Sequence, residues 1–256
     1  MDLKPFGVVL TCMFAVAGCG EDDVAVRATP QTQVAPESLV QNVTTQGAQQ
    51  KGDSSVPWDE YIDLNGLPHG QLLSYLLVAK SKQSFSDEQK LESLSLAYMS
   101  EPDTFEKQHL AKAELPRIQR ELDNFRRHDY YSVPVSTYAE YPLNLSNILI
   151  GPYSVSESSF PVTSYGQYCW QAPLRNRQGV SLLIQPSSTP CALRVEDESM
   201  ARTIESARAT GALAVKGRAY LYVPGVANGQ LEAQVMGVHL ELINSQTQTT
   251  IASVEL

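Results

Sequence analysis

The sequence predicts an α+β fold, in which a small helical subdomain (residues 57–128) precedes a domain with an antiparallel β-sheet or barrel-like arrangement and one helix (residues 129–256). Apolar residues recur at helical spacing in the first region, whereas in the second they alternate with a period of two between turn residues. The composition, 43% hydrophobic and 18% charged, is typical of a globular protein.

Two helices are predicted near the start of the helical subdomain. The first presents leucines on one face, at Leu72, Leu73, Leu76 and Leu77. The second begins with a capping box, in which the Ser86 hydroxyl accepts from the Gln89 amide while the Gln89 side chain reaches back. Its apolar positions are Leu91 and Leu94, and the same pattern continues to Leu96 or Tyr98.

Two further helices are marked by acidic start signals. Glu101-Pro102-Asp103 begins a third helix, which we expect Pro116 to kink or split because proline lacks the N–H that the helix interior needs. Residues 197–208 form the helix among the strands, with an acidic first turn that suits the helix dipole.

The strands are predicted from alternating apolar residues that end at turn residues. Such runs cover residues 143–150, 180–184 and 213–223, and the last ends at Pro224-Gly225. A C-terminal hairpin follows, and the alternation in its first strand changes parity at Gly237. A β-bulge at Gly237 would explain that change.

The N-terminus has the pattern of an export signal. The apolar run from Phe6 to Gly18 is too short to span a bilayer, and small residues follow its centre, so residues 1–18 are predicted to be a cleaved signal peptide. Val16-Ala17-Gly18-Cys19 resembles the lipobox of bacterial lipoproteins. Cys12 fits that pattern poorly, because Thr11 precedes it.

The lipobox resemblance implies that Cys19 becomes the first mature residue and carries acyl chains such as palmitate. Several chains on one residue hold a protein stably at a bilayer, which a single chain does not. In Gram-negative members an aspartate after the cysteine favours the inner membrane. Gly20 stands here, so the resemblance implies an outer-membrane anchor with a periplasm-facing domain. An ordinary cleaved signal with a chance cysteine is the alternative.

The segment after the lipidated cysteine, residues 19–56, is predicted to be a disordered tether. From Gly20 to Val56 it has no aromatic residue, no isoleucine and a single leucine, Leu39, so it buries too little surface to offset its chain entropy. Further along, the stretch from Phe85 to Leu110, with the strand at Gly217 and the closing hairpin, resembles a family of bacterial envelope proteins that carry a domain of unknown function. That resemblance implies no catalytic residue.

Two cysteines remain for the mature domain. In an oxidising compartment, Cys169 and Cys191 are predicted to form a disulfide. Two buried free thiols are the alternative. Zinc lacks partner ligands, because the sequence contains no two cysteines with two residues between them.

Known catalytic motifs are missing, and we predict no catalytic residue, no metal site and no cofactor. His69, His109, His128 and His239 lie on separate predicted elements. His239 and Glu241 share one strand face and would supply at most two ligands or one proton-transfer pair. The formal net charge of −9 disfavours a nucleic-acid partner.

Two clusters have both a structural and a binding interpretation. The cations near the end of the third helix, Arg117, Arg120, Arg126, Arg127 and His128, complement the helix dipole or form a patch for an acidic partner. Seven tyrosines between residues 130 and 170 pack in the core or line a binding face.

The sequence therefore predicts a membrane-anchored lipoprotein whose domain binds or assembles with an envelope protein. A hydrolase or transferase acting on a cell-wall or secreted substrate is the alternative. It would require a cleft in which His239, Glu241 or another histidine meets a serine or carboxylate.

Overall fold

Helices occupy the first half of the folded chain and strands occupy most of the second half. A computed structural model describes residues 51–164 and 168–256. Within them the α-helices are α1 (Leu72–Lys80), α2 (Asp87–Leu94), α3 (Leu96–Ser100), α4 (Thr104–Arg127) and α5 (Glu198–Ala209). The α+β class predicted from the sequence is confirmed.

Ten strands lie in the described residues. They are β1 (Ile62–Asp63), β2 (Tyr130–Ser136), β3 (Leu149–Ile150), β4 (Ser159–Thr163), β5 (Pro173–Arg175), β6 (Ser181–Gln185), β7 (Ala192–Arg194), β8 (Leu213–Ala227), β9 (Gln230–Asn244) and β10 (Thr249–Glu255). The serine-rich region between Ser154 and Ser164 contains β4.

The predicted helix starts are confirmed, and two details of the helices differ. The Ser86 capping box is complete, and the Asp103 carboxylate accepts from two amides at the start of α4. The second predicted helix stops at Ser95, whose hydroxyl caps the separate helix α3. Pro116 does not split α4, because it lies on the exposed face, where water can satisfy the freed carbonyl.

The larger sheet is mixed, whereas the sequence had predicted an antiparallel sheet. Its order is β1-β2-β8-β9-β6-β5, and β10 also pairs with β9. The pairs β1–β2 and β6–β9 are parallel. Parallel neighbours need long crossovers, which helices α1 to α4 and the segment containing α5 provide. A second sheet has the order β3-β4-β7, and the strands described here form no closed barrel.

The predicted bulge at Gly237 is confirmed. The register of β8 with β9 shifts between Tyr220, opposite Gly237, and Leu221, opposite Val235. Strand β8 continues past Pro224 to Ala227, further than predicted. The register is irregular between Tyr222 and Gly225, which is where a strand tolerates a proline.

The helices and the sheets share one hydrophobic core. Its buried cluster includes Leu76 of α1, Leu122 of α4, Phe160 of β4 and Leu240 of β9. The change from helix to strand falls between Arg127 and Tyr130, and the elements on both sides contribute side chains to this core.

The described residues begin at Lys51, before the predicted start of the helical subdomain at residue 57. Gly52 is buried against the side chains of Met236 and Tyr222, and the amide of Asp53 donates to the Tyr130 hydroxyl at 2.9 Å. Gly52 and Asp53, which the sequence assigns to the tether, therefore lie against the sheet. The part of the predicted tether before Lys51, the signal peptide and Cys19 lie outside the described residues.

Candidate functional site

The disulfide predicted from the sequence is present. Cys169 and Cys191 are joined with sulfur atoms 2.09 Å apart, and the bond closes a sequence separation of 22 residues. The adjacent Trp170 is fully buried, and its indole N–H donates to the carbonyl of Pro190 at 3.1 Å. The bond therefore fixes the segment that leads into β7.

The His239 side chain lies among three polar side chains of β9 and β10. Its Nε2 is 3.3 Å from Ser253 Oγ and 4.0 Å from Glu241 Oε1, and its Nδ1 is 3.9 Å from Glu255 Oε1. The carboxylates are beyond hydrogen-bond distance. Because neighbouring strands pair residue by residue, His239 stands directly opposite Glu255. The sequence identified the His239–Glu241 pair but not its two partners on β10.

This polar cluster lies on an open strand face. Ser253, Glu255 and Glu241 are exposed, and His239 is partly exposed. In residues 51–164 and 168–256, no three histidine, cysteine or acidic side chains are grouped to hold a metal ion.

The other three histidines lie apart from this cluster. His69 adopts a positive φ in the turn before α1, and His109 is on the exposed surface of α4. His128 ends α4, where its carbonyl accepts from the buried Tyr131 hydroxyl at 2.9 Å. Their positions are those of turn, surface and cap residues.

Two arginines of the α4 cluster, Arg117 and Arg126, pair with acids of the same helix, whereas Arg120 and Arg127 are exposed. Arg117 donates to Glu114 at 2.6 Å and to the Tyr75 hydroxyl at 3.3 Å. The hydrogen bond from Arg117 lowers the pKa of the Glu114 carboxyl. Arg126 is 2.6 Å from Asp123. These pairs support the structural interpretation of the cluster.

The tyrosines between residues 130 and 170 are divided between core and surface. Tyr131 is fully buried, whereas Tyr138 and Tyr141 are 63% and 50% exposed. Tyr165 lies outside the described residues.

An aromatic cluster that the sequence did not predict covers the β2–β8 face. The Trp58 ring stacks on Tyr220 with centroids 4.3 Å apart, and Tyr61 meets Tyr130 and Tyr220 edge-on. Burial raises the pKa of Tyr61 to about 12. These contacts hold the segment before β1 on the sheet, so they serve the fold.

The candidate binding site is a groove of about 660 Å³ between the two sheets. One wall includes Ala192 and Arg194 of β7, and the other is formed by Val254, Glu255 and Leu256 at the end of β10. Residues of the 156–159 segment and Pro190 complete it. The walls are far apart in sequence, which is why sequence patterns did not reveal the groove. We call it the β7–β10 groove.

The chain shows no match to any family model, any curated protein or any solved structure in the three comparisons made. Among the described helices, none is both long and apolar enough to cross a membrane.

Proposed function

We propose that this protein is a bacterial lipoprotein, held at the outer membrane by acylated Cys19, whose periplasm-facing domain binds or assembles with an envelope protein. The Val16-Ala17-Gly18-Cys19 pattern after a short apolar run supports the anchor. Acyl chains on Cys19 would supply the membrane affinity.

The Cys169–Cys191 disulfide is the structural observation that carries the proposal. Disulfides persist in oxidising compartments such as the periplasm and are rare in the reducing cytosol. The bond lies beside the fully buried Trp170, so it belongs to the folded core. This agrees with an exported domain.

The surface of the domain supports binding more than catalysis. The polar cluster around His239 lies on an open face, where water would compete for every charge developed in a reaction. The β7–β10 groove, in contrast, is bordered by strand edges and apolar side chains, which are suited to holding another polypeptide.

Crosslinking in living cells tests the proposed function. Cells producing the affinity-tagged full chain are treated with an amine-reactive crosslinker, and adducts in the membrane fraction are identified by mass spectrometry. An unrelated lipoprotein with the same tag is the control. We expect at least one envelope protein joined to this chain and not to the control. Identical adducts for both proteins would contradict a specific binding function.

A hydrolase remains the second candidate, because Ser253 Oγ lies 3.3 Å from His239 Nε2. In a serine hydrolase the histidine removes the proton of the serine that attacks the substrate. A fluorophosphonate probe tests this directly. Labelling at Ser253 that disappears in His239→Ala would favour the hydrolase, and absence of label under native conditions would leave the binding module.

A further inference from the structure

The outer edge of β10 has unpaired backbone groups. Leu256 and Val238 exchange two backbone hydrogen bonds of 2.9 Å. In an antiparallel ladder such pairs alternate with pairs whose N–H and C=O groups point outward. From the register, Ser253 and Glu255 are therefore the outward-facing residues. In the described part of the chain β10 pairs with β9 alone, so these outward-facing groups have no strand partner.

The outer edge of β7 is open in the same way. The amide of Val162 donates to Cys191, and the amide of Val195 donates to Ser158, both at 2.8 Å. The intervening residues Ala192 and Arg194 consequently turn their backbone groups away from β4. Within residues 51–164 and 168–256, β4 is the only strand that pairs with β7, so the opposite edge is open.

These two open edges border the same cavity, the β7–β10 groove. A volume of about 660 Å³ accommodates several residues of an extended chain. A wall on each side favours a single extended segment over the flat edge of a second globular domain. Of the two edges, that of β10 is the longer, because its regularly paired part, residues 252–255, continues to the last residue of the chain, whereas β7 has only three residues.

The second half of β10 lacks the usual guards of an edge strand, since the β-bulge of this strand lies earlier, between Thr250 and Ala252, and Ala252 to Glu255 pair regularly with β9. Natural edge strands are commonly guarded by lysine, proline or a covering element. Thr249–Glu255 contains neither lysine nor proline, and its threonines, isoleucine and valine favour extended structure. Such an edge is suited to strand addition, in which backbone hydrogen bonds supply affinity and side-chain positions supply selectivity.

The charges around the groove indicate the kind of segment it accepts. Glu157 and Glu255 line it against one cation, Arg194, and all three side chains are exposed. The whole chain carries a formal charge of −9. Val254 and Leu256 supply apolar contacts. An extended segment that alternates apolar and basic residues complements both features.

We propose that the β7–β10 groove binds an extended basic segment of a partner polypeptide, which adds as a strand to the outer edge of β10. This inference rests on the proposed binding function and names the chemistry of its partner.

Peptide binding to the purified full-length protein, kept in detergent, tests the proposal. The probe is a fluorescein-labelled heptapeptide in which lysine or threonine alternates with valine, and a matched peptide has glutamate in place of lysine. Fluorescence anisotropy measures binding at low salt. We expect the lysine peptide to bind at least about tenfold more tightly, a difference of about 1.4 kcal/mol. Equal binding of both peptides, or binding of neither, would overturn the proposal.

A pair of variants at one position tests strand addition. Ser253→Pro removes an outward N–H without breaking a ladder bond to β9, whereas Ser253→Val removes the hydroxyl and keeps the N–H. We expect Ser253→Pro to weaken peptide binding about fivefold or more, and Ser253→Val to leave it within about twofold. Far-ultraviolet circular dichroism and thermal melting check that both variants fold.

A third variant tests which edge is used. Ala192→Pro removes an outward N–H of β7, and we expect little effect on peptide binding. If only Ala192→Pro weakens binding, the assignment to β10 is wrong. Sedimentation of the free protein provides a further check: a concentration-dependent dimer disrupted by Ser253→Pro would make the occupant a second copy and also overturn the proposal.

The outcome separates this inference from the proposed function. A specific envelope adduct in cells that persists in Ser253→Pro, together with failure of the lysine peptide to bind, would retain the binding module and reject the β10 edge. Absence of any specific adduct in cells would reject the binding module itself.

Discussion

The Lys80 ammonium lies 2.5 Å from the Asp129 carboxylate and ties the end of α1 to the segment before β2. The Lys80 side chain is only 4% exposed, whereas that of Asp129 is 40% exposed. The carbonyl of Asp129 also accepts from the amide of Val223 on β8 at 2.7 Å. One ion pair therefore joins the helical part to the sheet.

Removing the acid should cost more stability than removing the base. Asp129→Ala leaves the buried ammonium without its partner, and we expect a loss of about 2 kcal/mol, reduced from the value for a fully buried pair because Asp129 is partly solvated. Lys80→Met keeps the volume and leaves a carboxylate that water can reach, so it should cost less than about 1 kcal/mol. Urea denaturation measures both. A greater loss in Lys80→Met would refute this ordering.

Loss of the disulfide should destabilise the domain without changing its fold. Cys169→Ser with Cys191→Ser opens a loop of 22 residues, and the chain-entropy model gives a loss of about 3 kcal/mol. Denaturation of native and double-variant protein measures the difference. The native chain should also resist alkylation in denaturant until a reductant is added, and immediate alkylation of both cysteines would show that the bond is absent.

Gly217 should tolerate no side chain, since β9 approaches it closely. A Cβ atom there would overlap the carbonyl oxygen of His239. We expect Gly217→Ala to lower the free energy of unfolding by about 2 kcal/mol or more. Gly225→Ala is the matched control on the same strand, because a Cβ at Gly225 meets nothing within 4 Å. Chemical denaturation should separate the two, and equal stabilities would show that the strands do not approach as described.

The free energy of unfolding should fall as pH rises from about 10 to 12. Burial raises the pKa of Tyr61 to about 12, whereas an unfolded tyrosine ionises near 10. Between these values the unfolded chain loses its proton and the folded chain keeps it, so stability present below pH 10 is lost as pH rises. Tyr61→Phe should reduce this slope in denaturation experiments across the range. An unchanged slope would place Tyr61 in water.

The local features of this fold could be predicted from sequence, whereas the long-range pairings could not. The Ser86 capping box, the Asp103 cap and the Gly237 bulge depend on residues within one or two turns or on one strand, and each was predicted. The parallel pairing of Leu182 with Leu231 depends on a crossover that alternation does not encode.

The candidate site likewise combines local features that the sequence predicted with a long-range feature that it did not. The disulfide followed from counting cysteines, and His239 with Glu241 followed from strand periodicity. The β7–β10 groove was missed, because Arg194 and Glu255 lie on different sheets and line one cavity only after both sheets pack. One signal was available in the sequence, namely the absence of lysine and proline from Thr249–Glu255.

The most direct test of the lipoprotein account is the chemical state of Cys19. Cells producing the native chain or Cys19→Ser are grown with radiolabelled palmitate and fractionated. We predict that the native chain carries the label and sediments with outer membranes, whereas Cys19→Ser carries none and is released from them. An unlabelled native chain that fractionates with the soluble periplasm would contradict the account.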